Sequence, residues 1–211
     1  MRYILTQAIL DVRNAGFEIT IVSVLGNESR VGKEMPFSNE GLSDNYDFMI
    51  MDGIRQMFHL ANIKGVHFKG LDKVEEVIEI DGKNWLISHN ISRIVDNPKN
   101  SQSAIGRYSL NGVVIYFMIG GHIHATNVTD FAARSGSLVG ANSYSENALN
   151  LAGKASQNYY LCRNGRINTV VVDLQDVDDI DGYDVISQLA VYNAKSVSKL
   201  DTNKTIFKIV I

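Results

Sequence analysis

The chain has 211 residues, 45% of them hydrophobic, with 17 glycines, two prolines and a formal net charge of −3. That length allows one sizeable domain with an extension. The acidic balance speaks against a strongly basic nucleic-acid-binding module. Cys162 is the lone cysteine, which excludes a disulfide framework and a cysteine-type zinc site and points to a reducing, cytoplasmic setting. Residues 1–15 carry Arg2, Asp11 and Arg13 and read as no signal peptide. No apolar run reaches the ~18 residues of a membrane span.

In chain order, Leu5, Ala8, Ile9 and Val12 keep helical spacing and predict an amphipathic helix over 2–15, stopped near Gly16. Ile19–Leu25 predicts a buried strand. A helix that leads directly into a core strand reads as the second half of a βαβ unit without its first strand. The polar stretch Gly26–Asn45 has the length of a functional loop. Tyr46, Met49, Ile50, Gly53, Ile54, Met57 and Phe58 then predict a helix capped by Asp44. Val74–Ile80 and Lys83–Ser88 flank Asp81-Gly82, which predicts a hairpin with a type I′ turn. Val113–Ile119 predicts another buried strand. A short helix is expected around Glu146–Leu151, and a second hairpin from Tyr159–Cys162 and Ile167–Leu174.

The acidic segment Gln175–Asp184 invites a calcium-loop reading, but Gly182 in the sixth place puts Val177 first and Gln188 twelfth. Neither supplies the charged oxygen needed there, so a solvated acidic loop is the reading. Residues 175–211 read as an extension to the domain of residues 1–174. Its alternating end Thr205–Ile211 calls for a sheet edge and suits an assembly element.

Three predicted strand ends carry candidate metal ligands: Asn27 after the first strand, His89 after Lys83–Ser88, and His122 and His124 after Val113–Ile119. Ligand sites in open α/β sheets lie at the carboxyl ends of strands. In an extended segment His122 and His124 address the same side, and the glycine pair Gly120-Gly121 before them supplies a turn. Imidazole and amide oxygen suit a borderline divalent ion such as Mn, Zn or Fe. His59 and His67 have no partners by spacing and read as structural.

The segments "VLGNESR", "LISHN" and "GGHIHAT" resemble the last three signature blocks of the calcineurin-like metallophosphoesterases. "DNYDFMI" and "SGSLVGANSYSENAL…SQNYYL" resemble a phage and bacterial, DNA-repair exonuclease-like branch. The resemblance covers roughly residues 5–174. It implies an α/β fold: the carboxyl-terminal portion of a β-sandwich flanked by helices, with the first strands missing. It implies that Asn27, His89 and His122 hold one metal of a di-metal centre and that His124 binds the other. Such a pair activates a hydroxide for attack on a phosphodiester. Arg30 is placed to contact a phosphate, and equally reads as an ordinary exposed arginine.

The departures are specific. The Asp-x-His and Gly-Asp-x-x-Asp blocks do not occur before Gly26, and the residue after His89 is Asn90 rather than glycine. Glu28 occupies the position of the family's general-acid histidine, where an ionised carboxylate repels phosphate rather than protonating it. The sequence therefore describes half a site, holding one divalent ion per chain at most, or none. Two readings stay open for this expected hydrolase relative, which is not expected to act as an isolated chain. One is the carboxyl-terminal subunit of a split phosphodiesterase or nuclease, completed by an amino-terminal chain. The other is a repurposed protein that binds a partner, a nucleotide, nucleic acid or itself as a homo-oligomer. No membrane partner is expected.

Overall fold

A computed structural model describes residues 1–31, 44–91, 95–147, 150 and 152–175. The expected calcium-like loop, the C-terminal assembly element and the end of the helix expected over Glu146–Leu151 lie outside them. The described residues form a mixed α/β structure. In chain order they give α1 (Arg2–Asn14), β1 (Ile19–Val22), α2 (Tyr46–Leu60), β2 (Val66–Lys69), β3 (Glu75–Ile80) and β4 (Lys83–Ser88). A 3-10 turn (His89–Ile91), α3 (Pro98–Leu110), β5 (Ile115–Gly120), β6 (Asn127–Val128) and β7 (Ala132–Arg134) follow. The described part closes with α4 (Ser143–Asn147), β8 (Ser156–Arg163) and β9 (Arg166–Asp173).

The central sheet is mixed, with strand order β3-β4-β5-β7-β6. β4, β5 and β7 run parallel, and β3 and β6 pair antiparallel at the edges. Alternation along the strands gives the sheet two buried faces. Leu86, Ile115, Met118 and Ala132 share one face with Ile91 of the 3-10 turn, Val95, and Ala104 of α3. Trp85, Phe117 and Ala133 form the other, covered by Tyr160, Cys162 and Ile167 of the β8–β9 hairpin. Trp85, Phe117 and Tyr160 stack edgewise there, with ring centroids 5.0–5.9 Å apart, a geometry that adds to the stabilisation from burial. No helix among the described residues is long and apolar enough to cross a membrane.

β1 and β2 pair in parallel as a separate two-stranded ladder, joined through α2 in a βαβ unit. The predicted strand Ile19–Leu25 is shorter in the ladder, since its partner β2 ends at Lys69 before Gly70 turns at φ +68°. The stripe predicted for α1 is only partly used: Leu5 and Ile9 are half-buried, while Ala8 and Val12 are exposed, because this helix packs on α2 and β1 and not on the broad sheet.

Both hairpins form. Asp81 and Gly82 (φ +50° and +71°) and Asn164 and Gly165 (φ +54° and +68°) have the two left-handed residues of a type I′ turn. The cap of α2 is Asn45 rather than Asp44, its side chain accepting from the Asp47 amide. Helix α3 was not expected from apolar spacing. It buries only Ser101 and Ala104 fully, and its signals are the Asn97 cap and Pro98 in the first turn.

Candidate functional site

The carboxyl ends of β1, β4 and β5 deliver the predicted residues to one cleft. Asn27 sits on the loop after β1, His89 opens the 3-10 turn after β4, and His122 follows β5. The Asn27 Oδ1 atom lies 2.5 Å from His89 Nε2 and 3.0 Å from His122 Nδ1, and the two ring nitrogens are 2.9 Å apart. The imidazoles meet edge to face, with centroids 4.7 Å apart and planes at 73°.

Hydrogen bonding alone cannot satisfy this triangle. The amide oxygen only accepts, and each ring nitrogen carries either a proton or a lone pair. Two protons set the nitrogens against each other, and one proton leaves a lone pair facing the amide oxygen. A cation at the centre uses all three lone pairs together. Neighbouring ligands held at about 2.1 Å in octahedral geometry stand about 3.0 Å apart, and two of the three edges match that spacing. The donor set of two imidazoles and an amide oxygen suits a borderline divalent ion. Among the described residues no three His, Cys, Asp or Glu side chains converge on a cation site; the third donor is the Asn27 amide.

The backbone is also specialised at the histidines. His122 and His124 adopt φ +81° and +58°, left-handed values that cost a non-glycine residue about 1–3 kcal/mol. The glycines ahead of them supply no left-handed turn. Gly120 instead allows close approach: a Cβ there would stand 2.4 Å from Ile91 Cγ1 and 2.8 Å from the Ser88 carbonyl. The expected turn at the glycine pair is thus made by the histidines, which swings alternate side chains apart. His124 does not join the triangle; its Nε2 lies 4.0 Å from Glu28 Oε2.

The cleft is lined by Val24, Gly26, Glu28, Ser29, Asp47, His89, His122 and His124 and holds about 200 Å³. That is below the ~300 Å³ at which small-molecule pockets begin, and suits an ion with a phosphate-sized group. Burial lowers the His89 pKa first, helped by His122, while Asp47 and Glu28 pull it the other way. Near neutral pH the ring is therefore unprotonated and available as a ligand. Arg30 is not among the lining residues; its Nε donates to the Asn27 carbonyl at 2.8 Å and braces the ligand loop.

Sequence reasoning gave no role to Asn45 and Asp47. Asp47 Oδ2 accepts the Gly26 amide at 3.1 Å, and Asn45 Nδ2 donates to the Gly26 carbonyl at 3.1 Å. The available signal was Asn-x-Asp at the head of α2, which reads as a cap; nothing in it tells which distant backbone the pair also grips.

No family model matches the chain, and no curated protein does. Among solved structures it is similar to two of Vps29 from Entamoeba histolytica. One is a single mutant (19% identity, TM-score 0.39, covering 80% of this chain and 89% of that one). The other is the wild-type protein complexed with zinc (19% identity, TM-score 0.38, covering 79% and 88%). Likeness of this size carries no argument about activity.

Proposed function

We propose that this chain is a metallophosphoesterase-like protein that holds one divalent cation through Asn27, His89 and His122. The observation that carries the reading is the convergence of their three donor atoms from the ends of three separate strands. The order of the blocks in sequence supports it. A bound ion would supply Lewis acidity toward a phosphoryl oxygen.

The surrounding residues oppose autonomous phosphodiester hydrolysis. Glu28 and Asp47 both face the cleft, and their carboxylates offset the charge of a bound divalent ion, which weakens its pull on a phosphodiester or a nucleic-acid backbone. Toward a second cation His124 brings the Glu28 carboxylate, 4.0 Å away, and among the described residues no third His, Cys, Asp or Glu joins them. The function proposed is therefore single-ion binding on a phosphoesterase scaffold, with phosphodiester chemistry left to a complementing chain.

Two measurements test this. Metal analysis of purified protein loaded with Mn or Zn should give one ion per chain, lost in His122→Ala; no bound ion overturns the reading. An assay with Mn against bis-p-nitrophenyl phosphate and DNA should stay at background. Turnover that His122→Ala abolishes would overturn the inactive half of the proposal.

A further inference from the structure

The residue before the ligand Asn27 is held on both sides by the first turn of α2. The Gly26 amide donates to Asp47 Oδ2 and the Gly26 carbonyl accepts from Asn45 Nδ2, across 21 and 19 residues of sequence. Asn45 is 2% exposed, and its other side-chain atom caps the helix at the Asp47 amide, 2.9 Å away. Both polar ends of a buried amide are thereby satisfied, so it has one orientation and little freedom. The Tyr46 amide donates to the Ser29 carbonyl and the Val31 amide to the Asp44 carbonyl, each at 2.8 Å. Residues 26–31, which carry Asn27, are thus laced to residues 44–47.

Asp47 also stands beside His89. At the point where a Cβ would project from Gly26, Asp47 Oδ2 is 3.1 Å away and His89 Nδ1 is 3.7 Å away. The carboxylate and the ring edge carrying Cε1 (3.6 Å) and Nδ1 both lie close to Gly26, and the Asp47 charge acts on the imidazole. Glycine at position 26 is what lets the carboxylate and the ring share this space.

We infer that Asn45 and Asp47 are positioning residues for the cation site: they fix the Asn27 oxygen through the Gly26 peptide. The inference rests on the single-ion reading above. Neither residue need touch the ion. Supporting groups of this kind typically alter metal affinity by about 10–100-fold.

The test is calorimetric titration of the full chain with Mn or Zn, alongside thermal unfolding in chelator and amide hydrogen exchange at Gly26. Asp47→Ala should weaken binding at least about tenfold and remove the exchange protection of the Gly26 amide. Asp47→Asn keeps an acceptor oxygen and should retain both the protection and most of the affinity, within about threefold. Unchanged affinity in Asp47→Ala overturns the positioning role while leaving single-ion binding intact. Equal losses in Asp47→Asn and Asp47→Ala overturn it in favour of plain charge. A flat titration of the unmutated chain overturns the single-ion reading, and this inference with it. If Asp47→Ala does not fold in chelator, Asp47→Asn and Asn45→Asp carry the test. Asn45→Asp keeps the helix cap but cannot donate to the Gly26 carbonyl; affinity equal to the unmutated chain in both variants overturns the inference.

Discussion

The Arg134 guanidinium is nearly shut off from water, with a side-chain exposure of 7%, and its charge is met by Asp96 at 2.9 Å. Its Nε also donates to the Ala125 carbonyl at 2.8 Å, next to the left-handed His124, so one buried cation braces the histidine loop. Asn127 donates to the same Asp96 carboxylate. Asp96 itself is half-exposed, which makes the two partners unequal. Asp96→Ala removes the carboxylate that meets this buried guanidinium and should destabilise the protein by about 1–3 kcal/mol. The hydrogen bond from Arg134 lowers the Asp96 pKa. A carboxylate with a depressed folded pKa stabilises the protein above its unfolded pKa of about 3.9 and loses that contribution as pH falls through the folded value. Urea unfolding between roughly pH 5 and pH 2 should therefore show a steeper acid loss for the unmutated chain than for Asp96→Asn. Parallel curves would contradict this.

At the scale of elements, the distance between two histidines is set by how closely β5 passes the 3-10 turn after β4. Gly120 ends β5 against Ser88 and Ile91, and His89 and His122 sit on either side of that contact. A methyl group on Gly120 meets the Ser88 backbone, which cannot move aside as a side-chain tip would. Gly120→Ala should destabilise the protein by about 1–3 kcal/mol and weaken cation binding by separating the two rings. Gly121→Ala, with nothing within 4 Å, should do neither. Thermal unfolding and metal titration of the two variants check this; equal behaviour would refute it. The sequence showed that two glycines precede the histidines but not which one is needed, because close approach is a property of the neighbouring strand. The hairpins were legible because Asp81-Gly82 encodes its turn locally. The convergence of Asn27, His89 and His122 was legible as polar residues following apolar strand runs; the departure of His124 from them was not, since it follows from the left-handed backbone at the two histidines. Helix α3 was not, since it buries little apolar surface, and the grip of Asn45 and Asp47 was not, since its partner lies 19 to 21 residues away.

Across the whole described structure, β1–β2 and the five-stranded sheet are separate ladders, and the ligand triangle spans them. Asn27 follows a strand of the first; His89 and His122 follow neighbouring strands of the second, 62 and 95 residues further along. A cation there cross-links segments that only the folded state brings together, so its binding energy is folding energy. It also uses together the three lone pairs that hydrogen bonds cannot all satisfy. An ion that binds the folded chain alone adds about 2.7 kcal/mol at a hundredfold excess over its Kd. For a chain of this size, each kcal/mol raises Tm by about 2–4 °C. Saturating Mn or Zn should therefore raise Tm by roughly 5–10 °C, chelator should reverse the rise, and His122→Ala should abolish it. A Glu28→Gln variant should keep the rise, because Glu28 lies beside His124 and not among the three donors. A Tm indifferent to metal, or a rise that survives His122→Ala, would separate the triangle from any cation and return it to a purely structural cluster.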